Sequence, residues 1–171
     1  MMNTNIVSIT DIFASRLDTL NHLLNVAEQH FADDISSLLE QRIITDMHPF
    51  GTQIAFACNQ PMHFALWCTE QPIEYLDPNV SSLQQARGYI SSTQTLLQTI
   101  ATDDAKLSEV KRVEIGNGAY LELPGTSYVA DFLTPNFYFH MTTAYNIMRM
   151  MGVNIGKHDF MRHLVPLLKH Q

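Results

Sequence analysis

The sequence predicts an all-α fold: a four-helix bundle with a small β-hairpin before its last long helix and a short C-terminal helix. Four long segments repeat apolar residues at spacings of three and four, the period of a helix with one buried face. A Gly/Asn turn separates two short runs that alternate instead, as hairpin strands do. The chain has 171 residues, 46% hydrophobic and 16% charged, which suits one domain whose core needs no metal or disulfide support.

In the first segment Ile9, Phe13, Leu17, Leu20, Leu24, Ala27 and Phe31 form the stripe, with Ser8 or Thr10 as the expected cap. A short helix is expected after Asp33 and Asp34, ending before Asp46. The second long segment starts at Pro49, a residue suited to a first helical turn, and runs through Ile54, Cys58 and Ala65 to about Trp67. Asp46 is its candidate cap, and Pro61 predicts a kink or a break. Residues 70–81 contain prolines and read as a connection.

The third segment follows Leu83, Ala86, Ile90, Thr93, Leu97 and Ile100. Val113, Glu114 and Ile115, then Leu121, Glu122 and Leu123, alternate around Gly116, Asn117 and Gly118, and give the hairpin. The fourth helix is expected over residues 127–151, stopping at Gly152, with Pro135 kinking it or marking a tighter entry. Residues 157–168 form the short final helix.

Composition narrows the function. A net charge of −7 with no run of Lys or Arg argues against nucleic acid and anionic membrane surfaces as partners. No stretch is long and apolar enough for a transmembrane helix, and the start of the chain lacks a signal peptide's basic and apolar regions. Cys58 and Cys68 share one expected helix, ~15 Å apart along its axis, too far for a disulfide. A reduced, cytoplasmic setting follows. There is no Gly-rich phosphate loop, no G-x-S-x-G elbow, and no H-E-x-x-H or C-x-x-C.

The chemistry concentrates in the fourth helix. A stripe of Val129, Leu133, Asn136, His140, Ala144, Ile147 and Met151 places Asn136 and His140 one turn apart on the face expected to point inwards. Buried polar groups need partners. The pair therefore either holds a ligand or a metal together, or satisfies itself within the core. Phe137, Tyr138, Phe139, Met141, Tyr145 and Met148 leave this helix apolar almost all round, so it is central or lies at an interface. A homodimer through it is expected; the alternative is cover by the hairpin and the C-terminal helix. Among the other histidines, His22 and His30 fall off the first stripe and are expected in solvent. His63 is a further candidate ligand, one turn beyond Asn59.

Three segments carry a family resemblance: residues 46–50 (DMHPF), Ala57, Cys58 and Asn59, and above all residues 135–145 (PNFYFHMTTAY) with their Asn-Phe-Tyr-Phe-His block. Residues 152–160, with GV followed by GKHDF, add to it. The chain resembles a domain-of-unknown-function family of the DinB/YfiT-like superfamily, over nearly its whole length. The resemblance implies a DinB-like four-helix bundle, often dimeric. Relatives in the superfamily are metal-dependent enzymes, thiol transferases among them, with one His from the second helix and an H-x-x-x-H pair from the fourth. Carried over by position, that pair falls on Asn136 and His140, so its first His is missing. The second-helix slot falls near residues 56–60, where Cys58, Asn59 and Gln60 stand and no His does.

The expectation is a small-molecule-binding or structural module with a degenerate metal site. Asn136 and His140 are its ligand-binding candidates, and His140, Asn136 and Cys58 are the candidates for a divalent transition metal. The alternative is a metal-dependent enzyme of the thiol-transferase or hydrolase kind, in which His140 acts as ligand or general base.

Overall fold

The computed structural model describes residues 5–101 and 103–169. Its long helices are α1 (Ile6–Phe31), α3 (Phe50–Cys68), α4 (Leu83–Leu97) and α6 (Thr134–Met150), with a short α2 (Ile35–Leu39) after α1. Strands β1 (Val110–Gly116) and β2 (Ala119–Pro124) form an antiparallel hairpin. The hairpin leads through one turn, α5 (Gly125–Ser127), and a π-helical stretch, Tyr128–Leu133, straight into α6. A short α7 (Lys157–Phe160) and a 3₁₀ stretch, Arg162–Leu167, follow. This is the all-α bundle with a hairpin that the periodicities predict. No helix among the described residues is long and apolar enough to cross a membrane.

The first stripe lands as expected: Ile9, Phe13, Leu17, Leu20, Leu24 and Ala27 are buried. Its cap does not. Asn5 takes that role, its Oδ1 accepting from the Ser8 N–H at 2.8 Å, while Thr10 lies inside the helix and donates to the Ile6 carbonyl. Nor does Asp46 cap α3. That helix has no side-chain cap, and the Phe50 N–H donates instead to the Gln41 carbonyl at 2.7 Å.

The central helix is α3, not α6. Every residue from Phe50 to Trp67 except Phe56 is buried, and α3 packs chiefly against α6 and α4. It runs on through Pro61 without a break. Phe64 on α3, Phe13 on α1 and Phe137 on α6 meet in one aromatic cluster, with ring centroids 5.8 Å (Phe13–Phe64) and 5.5 Å (Phe13–Phe137) apart. Burying three such rings supplies several kcal/mol, roughly 2–3 each, to holding the helices together.

A helix buried nearly all round still carries five buried polar side chains, and three of them tie down the connection that covers it. Asn59 Oδ1 accepts from the Leu76 N–H, His63 reaches the Glu74 carbonyl, and Thr52 donates to the Pro78 carbonyl. Gln53 turns the other way, towards α6. At Gly51 the returning chain comes so close that a Cβ would sit 2.9 Å from the Val80 side chain and carbonyl. So residues 70–81, irregular in themselves, are fixed by hydrogen bonds to α3.

At Pro135 the helix widens where a kink or a tighter entry is expected. Thr134 N–H bonds back to the Val129 carbonyl, five residues earlier. Proline has no N–H to give and crowds the carbonyl four residues back, and a π turn relieves both problems. The hairpin turn uses three consecutive positive-φ residues, Gly116, Asn117 and Gly118. After α6, Gly152 takes φ +83° and donates to the Arg149 carbonyl, ending the helix where the sequence predicts.

Candidate functional site

The π turn has a consequence for the site. A π turn holds an extra residue, so a stripe counted at helical spacing from Val129 slips by about one position beyond Leu133. The line that enters the core is Leu133, Phe137, Met141, Ala144 and Met148, all fully buried. Asn136 and His140 lie beside it, half-buried, on the seam between α6 and α3. The sequence-based stripe therefore names the right neighbours and the wrong depth.

The two do not form a pair. Asn136 Nδ2 donates to the Phe132 carbonyl at 2.7 Å. His140 bonds across the seam to Gln53, with Nδ1 2.8 Å from Oε1. Gln53 is buried, and its Nε2 donates to the His48 carbonyl at 3.0 Å. A carbonyl only accepts, so the Gln53 amide has one orientation and its oxygen faces the imidazole. His140 must then carry its hydrogen on Nδ1 and its lone pair on Nε2. The rings of Phe56 and Phe139 stand edge-on to it, at 5.3 and 5.2 Å. Burial, and then the charge of nearby His48, push its pKa down to about 4, so the ring is neutral through the physiological range.

Cys58 is elsewhere. It is fully buried in the apolar core, and that burial pushes its thiol pKa up, away from the thiolate form. Five residues past Gln53, it points about 140° around α3 from the side chain that meets His140. Neither cysteine is bridged. The donors along the seam are the lone pairs of two separate imidazoles, His140 and His63, and amide oxygens, a poor set for a divalent transition metal. Among the described residues no group of three or more His, Cys, Asp or Glu is placed to hold a metal ion.

What the seam does contain is a cavity, about 310 Å³, one turn along from His140. Asn136, Tyr128 and Phe132 line it from the π stretch and α6, and Gln60 and His63 from α3. The connection contributes Ile73 and Tyr75, and β1 contributes Lys111 to Glu114. His63 is buried, with Nε2 2.9 Å from the Glu74 carbonyl, so its hydrogen is on Nε2 and its lone pair on Nδ1. Burial lowers its pKa as well. Gln60 Nε2 donates to the Phe56 carbonyl. The Lys111 ammonium lies 5.9 Å from the centre of the Tyr128 ring, and burial and the charge of Lys106 lower its pKa.

The sequence names His63 and Gln60 among the candidate positions but points to neither Gln53 nor Lys111. A signal was there for three of these. Gln53, Gln60 and His63 fall within ~80° of one another on a helix whose other buried polar side chains are Thr52 and Asn59. Lys111 had no such signal, because only the fold brings β1 over the seam.

Residues 7–161 match the model of a protein family described as a domain of unknown function, DUF1993. The chain belongs to the DUF1993 family. Among solved structures, this DUF1993 chain is similar to a DinB family member from Shewanella denitrificans, with a TM-score of 0.76 and 28% identity. That match covers 91% of this chain and 88% of the other. Comparison with curated proteins returned no match. The DUF1993 domain is thus a DinB-like bundle, as the resemblance in its sequence implies. Its seam between α3 and α6 sets His140 against Gln53 and Asn136 beside a cavity.

Proposed function

We propose that this DUF1993 chain is a small-molecule-binding module, its ligand seated in the cavity walled by α3, the π stretch and β1, with a degenerate metal site beside it. The observation that carries this reading is the cavity itself. Its volume falls at the lower end of the range small-molecule sites occupy, and it has an apolar wall with a few polar groups. The π stretch supports it, since such turns concentrate at functional positions. The test is a fragment screen by saturation-transfer NMR on the wild type and on Val113→Trp, which places an indole in the cavity from a strand position that tolerates aromatics. Fragments that bind the wild type and not the variant support the reading. Fragments that bind both equally, or none binding at all, contradict it.

A second reading, a metal-dependent enzyme of the thiol-transferase or hydrolase kind, has one observation in its favour. The outer nitrogen of a ligating histidine usually donates to a neighbouring oxygen, as His140 Nδ1 does to Gln53. Elemental mass spectrometry of untagged protein, with His140→Ala alongside, decides it. About one transition metal per chain, lost in the variant, favours the enzyme. None bound after zinc or nickel is offered removes it.

A homodimer through α6 is part of the proposal, supported by the exposed side chains of Phe139 and Met150. Sedimentation as a monomer at micromolar concentration would contradict it. A cytoplasmic setting is supported by the two cysteines sharing one helix.

A further inference from the structure

We propose that the cavity takes a small aromatic zwitterion, an amino-acid-like molecule whose ammonium sits among Asn136, Gln60 and His63 and whose carboxylate meets Lys111. This inference rests on the cavity reading above and adds the ligand's chemistry.

Three side chains on the wall share one arrangement. Asn136 donates to the Phe132 carbonyl, Gln60 to the Phe56 carbonyl and His63 to the Glu74 carbonyl. His63 thus spends its one donor on the main chain and keeps the Nδ1 lone pair, while Asn136 and Gln60 each spend one of two amide N–H groups and keep an oxygen acceptor, Oδ1 and Oε1. Among the described residues, the sealed side-chain polar atoms without a partner are Thr93 Oγ1 and His163 Nδ1. The three acceptors are not among them, so none is a sealed atom without a partner, and all three residues line the cavity. Three neutral acceptors suit a group with several N–H donors, and an ammonium has three. They suit a transition metal poorly.

Lys111 supplies the opposite requirement. Its neighbours have carboxylate partners: Lys106 bridges Glu70 and Glu109, and Arg112 bridges Glu114. Lys111 forms no ion pair among the described residues, although it is half-buried at the cavity wall. A partly desolvated cation without an anion is unfavourable, and a ligand carboxylate would remove that penalty. The rest of the wall includes Ile73, Val113, Phe132 and Tyr128, which suits an aromatic body carried on the same carbon as the two charged groups. A plain carboxylic acid would set an anion or a bare ring against three acceptors. A plain amine would leave Lys111 unanswered.

Three probes of one shape separate these cases: L-phenylalanine, 3-phenylpropanoate and phenethylamine, titrated calorimetrically into the full chain at neutral pH. L-Phenylalanine is expected to bind roughly tenfold or more tightly than either analogue. Lys111→Met should reduce it to the affinity of phenethylamine without weakening phenethylamine. The Gln60→Leu/Asn136→Leu double variant should reduce it to the affinity of 3-phenylpropanoate. Circular dichroism of each variant checks that it folds, and Lys111→Met, on a hairpin strand, carries the test if the double variant does not. An analogue that binds the wild type as tightly as L-phenylalanine, and is lost in Val113→Trp, overturns the zwitterion and leaves the cavity reading intact. Fragment binding at the cavity with no binding of L-phenylalanine at millimolar concentration overturns the inference alone. If neither the probes nor the fragments bind, both readings fall.

Discussion

Phe137 and Met141 lie one residue along α6 from Asn136 and His140, and the two pairs live in different surroundings. Phe137 and Met141 are fully buried, with Phe137 edge-on to Phe13. Asn136 and His140 are half-buried, each donating to an oxygen, the Phe132 carbonyl for one and Gln53 Oε1 on α3 for the other. A rotation of about 100° separates packing from chemistry on the same helix. The apolar line gives the bundle its stability. The polar seam gives up some of that packing to keep a neutral imidazole and a cavity in place.

The largest test of this contrast sets Phe137→Ala against Asn136→Ala. Loss of the buried ring should destabilise the chain by about 3–5 kcal/mol and lower Tm by roughly 6–20 °C. The two changes are adjacent in sequence, so similar losses in thermal unfolding would mean that the line entering the core is misplaced.

Next comes Gln53→Leu, which strands the Nδ1–H of a half-buried imidazole and should cost about 1–3 kcal/mol. Adding His140→Leu should recover part of that loss, and denaturant melts of the single and double variants measure the coupling. Independent, additive effects would mean that the bond between α3 and α6 contributes little.

The same pair sets a pH dependence. His140 has a folded pKa of about 4, below the ordinary histidine value of 6.5. Between these values the unfolded chain binds the extra proton and the folded chain does not. Stability from this group is therefore full above pH 6.5, falls as the pH drops towards 4, and levels off below it. The loss is on the order of 2 kcal/mol once discounted for the partial exposure of His140. His63, also lowered by burial, works in the same direction. The Gln53→Leu/His140→Leu variant should show a flatter profile across this window, and an unchanged slope would remove His140 as its source.

Smallest of all is Asn136→Ala, which loses one bond to the Phe132 carbonyl and should cost about 1 kcal/mol or less. Its larger effect should be on binding, so a variant as stable as the wild type that still holds fragments normally would argue against a role in the cavity.

Much of the fold was legible because helical periodicity survives wherever the helix itself is regular. The α1 and α4 stripes and the hairpin around Gly116, Asn117 and Gly118 are read from spacing and turn chemistry alone. The reading failed where local geometry left the ideal period. The π turn before Pro135 slips the phase, and so Asn136 and His140 were expected deeper than they lie. The site was legible only in part. Asn136 and His140 do belong to the seam, yet their partners sit on other elements: Gln53 on α3, 87 residues from His140 in sequence, and Lys111 on β1. Spacing within one segment carries no information about which segment will face it. The family pattern pointed to residues 56–60 on α3, and it is Gln60, not the core residue Cys58, that reaches the cavity.

The central claim is that the cavity beside Asn136 binds a small aromatic zwitterion, and chemical-shift mapping tests it most directly. Isotope-labelled protein titrated with L-phenylalanine should show saturable shifts gathered at Gln60, His63, Lys111, Phe132 and Asn136, with little change at Phe13 or Phe64 in the core. Shifts scattered over the surface, or none at millimolar ligand, would contradict it.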